Sequence, residues 1–153
     1  YDSFDNNYAQ IYYKKPYSYY KLKFEYRFTG NQTKGGAGWA KRNSGIMIHS
    51  QSPDSNDFGQ SFPVSIEVQL LGGLSKGKRP TANLCTPGTA VIMNKKINYN
   101  HCIFSKSKTY DGDQWVSGEI IVHGGEKISH IIEKDTVLSY EKPQIGGGFV
   151  DSK

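Results

Sequence analysis

Apolar and polar side chains alternate one for one along several short stretches of this chain. The clearest is YKLKFEYRF, where Leu22, Phe24, Tyr26 and Phe28 fall on one side and Lys21, Lys23, Glu25 and Arg27 on the other. Successive side chains on a strand point to opposite faces, so this pattern predicts a half-buried antiparallel strand with its charged face in water. Ile46 and Ile48 alternate with Met47 and His49 in the same way, and Val64, Ile66, Val68 and Leu70 alternate with Ser65, Glu67, Gln69 and Leu71. Farther on, Val116, Gly118, Ile120 and Val122 alternate with Ser117, Glu119, Ile121 and His123. Gly124-Gly125 then signals a hairpin into KISHIIE, where Ile128, His130 and Ile132 oppose Ser129, Ile131 and Glu133. YAQIYY (8–13), ended by Lys14, Lys15 and Pro16, predicts an edge strand, and VLSY (137–140) a last short one before PQIGGGFVDSK trails off in glycines. No window sustains a helical period. Many short strands with turn signals between them predict an all-β sandwich of two antiparallel sheets.

The length of 153 residues suits a single domain spanning 1–153. The net charge of +5 comes from dispersed lysines with no nucleic-acid-binding motif, so a solvated basic surface accounts for it and no nucleic-acid partner is expected. No stretch approaches the roughly 20 apolar residues of a membrane span. Cys85 and Cys102, the only cysteines, flank CTPGTAVIMNKKINYNHC, which has no metal-ligand spacing. At the two ends of a strand-turn-strand excursion they fit a disulfide in an exported protein, the alternative being a buried free pair in a cytosolic one. The chain opens at Tyr1 without Met or a signal peptide, so the cysteines suggest a secreted or periplasmic location without demonstrating export.

Candidate chemistry gathers between Arg42 and Leu71. If the two strands there share a sheet, His49, Glu67 and Gln69 lie on one polar face, with Glu67 and Gln69 about 6–7 Å apart. That face is either a solvent-washed exterior or a working cleft. The arrival of Trp39, Arg42 and Asn43 beside it favours the cleft. Trp39 is then a wall for stacking a sugar ring, or else a hydrophobic plug. Gly35, Gly36 and Gly38 before it follow neither phosphate-binding pattern, and no helix follows them. Asp54, Asn56 and Asp57 could hold calcium, though the EF-hand pattern is absent. His130 shares a face with aliphatic residues, as a satisfied core histidine or a proton-transfer group.

The segments RNSGIMIH, FPVSIEVQLL, ANLCTPGT, SKTYDGDQWV, VHG, ISHII and KPQ together resemble the 3-keto-disaccharide hydrolase domain family, over about Tyr1 to Gln144. The resemblance implies a concanavalin A-like jelly roll, exported by bacteria and acting on carbohydrate. Members begin with an FNGK-like segment and end with a strand after a G-x-I/L-x-L-Q element. Neither stands here, so the resemblance implies a fragment cut at both ends, without its terminal strands. Many members also carry Asp soon after the EVQ-type strand, where this chain has Gly72 and Gly73.

An ordinary glycosidase needs two carboxyls, about 5–5.5 Å apart when retaining or about 6.5–9.5 Å when inverting. EVQLLG supplies one. A 3-keto sugar needs less, because its carbonyl acidifies the C2 proton. One base removes that proton, the C1 substituent leaves by elimination, and water then adds, for net hydrolysis. Glu67 is the expected base or acid, with His49 and His130 for proton transfer or metal ligation. Gln69, Asn43 and Arg42 would orient hydroxyls or the carbonyl. His, Glu and Gln could hold a divalent metal, although no spacing demands one. The alternative is a carbohydrate-binding module without catalysis.

Overall fold

The computed structural model describes residues 3–5 and 8–147. Ten strands follow in chain order: β1 (Tyr19–Tyr26), β2 (Asn43–Ile48), β3 (Ile66–Leu71), β4 (Asn83–Cys85), β5 (Thr89–Met93), β6 (Lys96–Asn98), β7 (Cys102–Ile103), β8 (Val116–His123), β9 (Lys127–Ile132) and β10 (Asp135–Ile145). They form a six-stranded sheet in the order β1-β8-β9-β10-β5-β6 and a four-stranded sheet in the order β2-β3-β4-β7. Every strand pairing is antiparallel. The result is an all-β sandwich of jelly-roll type.

The alternations explain how the sheets meet. Ile48, Ile66, Val68, Leu70 and Leu84 of the smaller sheet share one apolar cluster with Val116, Ile120, Val122, Ile128 and Ile132 of the larger. Full burial of each such side chain contributes about 1.5–3 kcal/mol. Gly118 opposes Phe24 across β1 and β8, and the Phe24 ring fills the space that a side chain at 118 would need.

Three stretches depart from the simple pattern. Residues 8–13 form no strand; their side chains fasten them to the loop before β3. Gln10 Nε2 donates to the Ser61 carbonyl at 3.2 Å, and Asn56 Nδ2 donates to the Tyr12 hydroxyl at 2.9 Å. Ile11 is left fully exposed, so the alternation there has no core to face. VLSY is only the middle of β10, which continues through Pro143 to Ile145. The ladder with β5 shifts register between Glu141 and Gln144, and such an irregularity accommodates a proline that cannot donate. Of the expected glycine-rich tail, 148–153 lie outside the described residues.

The excursion between the cysteines leaves the smaller sheet after β4, adds the β5–β6 hairpin to the larger, and returns as β7. Asn94 and Lys95 turn that hairpin with φ of 51° and 63°, the left-handed pair required by a type I′ turn. A Cys85–Cys102 disulfide closes it, between directly opposed residues of β4 and β7. Among the described residues no helix is long and apolar enough to cross a membrane.

Candidate active site

The register of the smaller sheet decides which side chains meet on its outer face. Met47 opposes Glu67 and Gly45 opposes Gln69 across β2 and β3. Across β3 and β4, Glu67 opposes Cys85 and Gln69 opposes Asn83. Directly opposed residues share a face, so these side chains stand together on the side away from Ile66, Val68 and Leu70.

Glu67 is at the centre of that face. Its carboxylate accepts no hydrogen bond among the described residues, and burial raises its pKa to about 7 by disfavouring the charged form. Gly45 makes room for it: an added Cβ there would overlap Glu67 Oε1 and lie 2.8 Å from its Cγ. Gln69, two residues on, has its Oε1 taken by Asn83 Nδ2 at 3.1 Å.

Trp39 borders the same face. It belongs to a single 3₁₀ turn, Gly38–Ala40, whose Trp39 carbonyl accepts from Asn43 Nδ2 at 3.3 Å at the start of β2. Trp39 as a residue is 57% exposed. Tyr8 lies 5.8 Å from it and Phe62 lies 6.5 Å away, centroid to centroid. Trp39 precedes β2 and Phe62 precedes β3, and these strands are antiparallel. The two loops must therefore reach toward each other along the pair, making an aromatic rim with Trp39 open to solvent.

The family model for the 3-keto-alpha-glucoside-1,2-lyase-like domain matches residues 2–150, nearly the whole chain. The chain belongs to that family. Neither a search of curated proteins nor one of solved structures found a match. The description of the 3-keto-alpha-glucoside-1,2-lyase-like domain points to a lyase-type enzyme class with a carbohydrate substrate.

Within this 3-keto-alpha-glucoside-1,2-lyase-like domain three expected site residues stand elsewhere. His49 follows the end of β2 with φ 48°, which breaks the alternation. Its imidazole turns to a groove at one end of the sandwich, shared with Tyr19, Gly124 and Gln144. Partial burial lowers its pKa, an effect its hydrogen bond with the Gly124 backbone offsets in part. His130 is fully buried between the sheets. One ring nitrogen, Nδ1, is 2.8 Å from the Ala82 carbonyl and the other, Nε2, is 2.8 Å from the Tyr140 hydroxyl. A carbonyl only accepts, so Nδ1 carries the proton and Tyr140 donates to Nε2. Burial holds the ring neutral, with a pKa of about 4. It is the core histidine, remote from solvent and from Glu67's face. Arg42, also at positive φ, donates from Nη1 to the carbonyls of Gly112 at 2.7 Å and Phe28 at 3.3 Å. It braces three loops instead of orienting a hydroxyl.

Glu67, Gln69, Asn43 and Trp39 are thus brought to one face; His49, His130 and Arg42 are not. Among the described residues no three His, Cys, Asp or Glu side chains cluster as a metal site. Sequence reasoning missed Gly45 and Asn83. It also missed Asp111, whose carboxylate lies against Gly73 and accepts the Ser75 N–H at 2.6 Å. A carboxylate therefore reaches the end of β3 from a distant loop. A glycine inside an alternating run was the one available signal for Gly45.

Proposed function

We propose that the outer face of β2–β4 cleaves 3-keto-glycosides, with Glu67 as the group that moves the proton. The carrying observation is a desolvated carboxyl, without a hydrogen-bond partner among the described residues, on a strand whose other side is fixed in the core. With a pKa of about 7, Glu67 is divided between its two forms near neutrality, which suits a group that must take a proton and then return it. The C2–H bond breaks and its proton goes to Glu67, while the electron pair moves onto the C3 oxygen as an enolate. The enolate then collapses, the C1–O bond breaks, and the leaving alcohol is protonated. Water adding across C1 and C2 completes net hydrolysis. Among the described paired residues of β2–β4, Glu67 is the one carboxyl on this outer face, and Asp111 reaches only the segment after β3, which fits elimination better than two-carboxyl hydrolysis. Trp39 would stack on the sugar, and Asn43 holds the loop that presents it. The disulfide fits a secreted or periplasmic setting.

The test is turnover of methyl 3-keto-α-glucoside by the wild type and by Glu67→Gln, which keeps the shape and removes the charge. A fall of roughly 10²–10⁴-fold is expected, with the unoxidised glycoside a poor substrate for both proteins. Equal rates in the two proteins would remove Glu67 from the mechanism. The exposed Trp39 ring favours a second reading, a sugar-binding module: binding of either glycoside without turnover, lost in Trp39→Ala, would support that reading against catalysis.

A further inference from the structure

The amide beside Glu67 has a polarity that backbone atoms decide. Asn83 is fully buried, and its side chain touches two main-chain groups whose roles cannot change. The Ser105 N–H donates to Asn83 Oδ1 at 3.0 Å. The Pro80 carbonyl accepts from Asn83 Nδ2 at 3.0 Å. An N–H can only donate and a carbonyl can only accept, so Asn83 cannot be flipped without two buried mismatches. The second proton on Nδ2 then points at Gln69, and Gln69 must offer its oxygen, at 3.1 Å. The consequence falls on the far side of Gln69. Its Nε2, with two donors and no protein partner among the described residues, is the end left for the outer face.

The segment carrying Asn83 is held from several directions. Thr81 N–H donates to Ser107 Oγ at 2.7 Å, and the Thr81 carbonyl accepts from Ser105 Oγ at 2.6 Å. Ala82, at φ 52°, has its carbonyl bound by His130 from the opposite sheet. A residue held so firmly in left-handed space marks a backbone fixed by its surroundings.

We infer that Asn83 is a positioning residue that fixes Gln69 as a hydrogen-bond donor, reserving the place beside Glu67 for an acceptor oxygen, the carbonyl and then enolate oxygen of a keto sugar. This rests on the proposed reaction and names what its second group does. Glu67 takes the C2 proton while the Gln69 amide meets the charge that develops on the adjacent C3 oxygen. Such a donor acts most strongly in the transition state, so its loss should appear in kcat more than in KM.

Two variants test it. Gln69→Glu, measured at alkaline pH where the added carboxyl is ionised, still accepts from Asn83 but has no donor for the face. Asn83→Asp keeps the acceptor for Ser105 and turns the Gln69 amide around. Each should lower kcat on methyl 3-keto-α-glucoside by about 10²–10³-fold, with KM little changed. Wild-type kcat in a folded Gln69→Glu overturns the inference. Should Asn83→Asp fail to fold, side-chain amide exchange in the wild type decides the orientation. Slow exchange at Asn83 and fast exchange at Gln69 support it, and the reverse overturns it. A wild type that binds the keto glycoside without cleaving it defeats the proposed reaction, and with it Gln69's transition-state role. The exchange pattern then still judges the positioning by Asn83.

Discussion

The carboxyl of Glu67 is usable because residue 45 is glycine. Gly45 has no need of a left-handed backbone; what it gives is volume, since a Cβ would overlap the Glu67 side chain. Gly45→Ala should therefore leave stability unchanged or slightly raised, because glycine inside a strand costs roughly 0.5–1 kcal/mol relative to alanine. Activity should fall by about 10²-fold, as expected when a reacting group moves by about an ångström. Thermal melts and kcat on a 3-keto glycoside check the pair of outcomes, and an active, equally stable Gly45→Ala would show that the carboxyl's place is not set there. Period-two alternation made Glu67 and Gln69 legible as neighbours on one face. It could not show that φ turns positive at His49 and Arg42, because nothing in either side chain announces it. His130 lay on an aliphatic face in the sequence, and only the cross-sheet carbonyl of Ala82 shows how its ring is satisfied.

At the scale of elements, the strands flanking Glu67 differ in what holds them. β3 has a long ladder with β2 and an inner face in the core. β4 and β7 are three and two residues long and pair only through Leu84–Ile103 and Cys85–Cys102. The disulfide therefore carries much of this side of the sheet. Closing a loop of this length contributes about 3 kcal/mol in the chain-entropy picture. Urea unfolding with and without a reductant should show a loss of that order, with amide exchange quickening first in β4 and β7. A loss below about 0.5 kcal/mol, the usual range for a surface change, would show that the strands hold without the bond. The long alternating strands, β1, β3, β8 and β9, were legible because each has one face in the core. The run 8–13 alternates too, yet it meets no sheet edge, and alternation cannot report whether a partner is available. β10 was read too short because Pro143 looks like a strand end unless a register shift removes the need for its N–H.

Across the whole molecule the two shifted groups oppose each other as pH changes. His130 is held near pKa 4 in the folded state against an ordinary value of 6.5. Between those values the unfolded chain binds the extra proton, so stability rises with pH, by up to about 1.4 kcal/mol per pH unit. Glu67 is raised to about 7 from 4.5. Between those values the folded chain binds the extra proton, so stability falls as pH rises, at up to the same slope. The windows overlap from about pH 4.5 to 6.5, and there the two contributions cancel. His49 and His101, whose pKa values burial also lowers, add to the His130 direction. The wild type should thus rise in stability across the overlap only by what His49 and His101 contribute. Glu67→Gln should release the His130 slope and gain steadily to about pH 6.5. Above pH 7 it should exceed the wild type by an amount on the order of 3 kcal/mol. His130→Gln should show the reverse slope, losing stability from about pH 4.5 to 7, whatever its overall penalty. Urea midpoints of the three proteins at half-unit pH steps check this. Parallel curves for wild type and Glu67→Gln would mean that the carboxyl is not desolvated, and Glu67 would then lose the property that suits it to moving a proton.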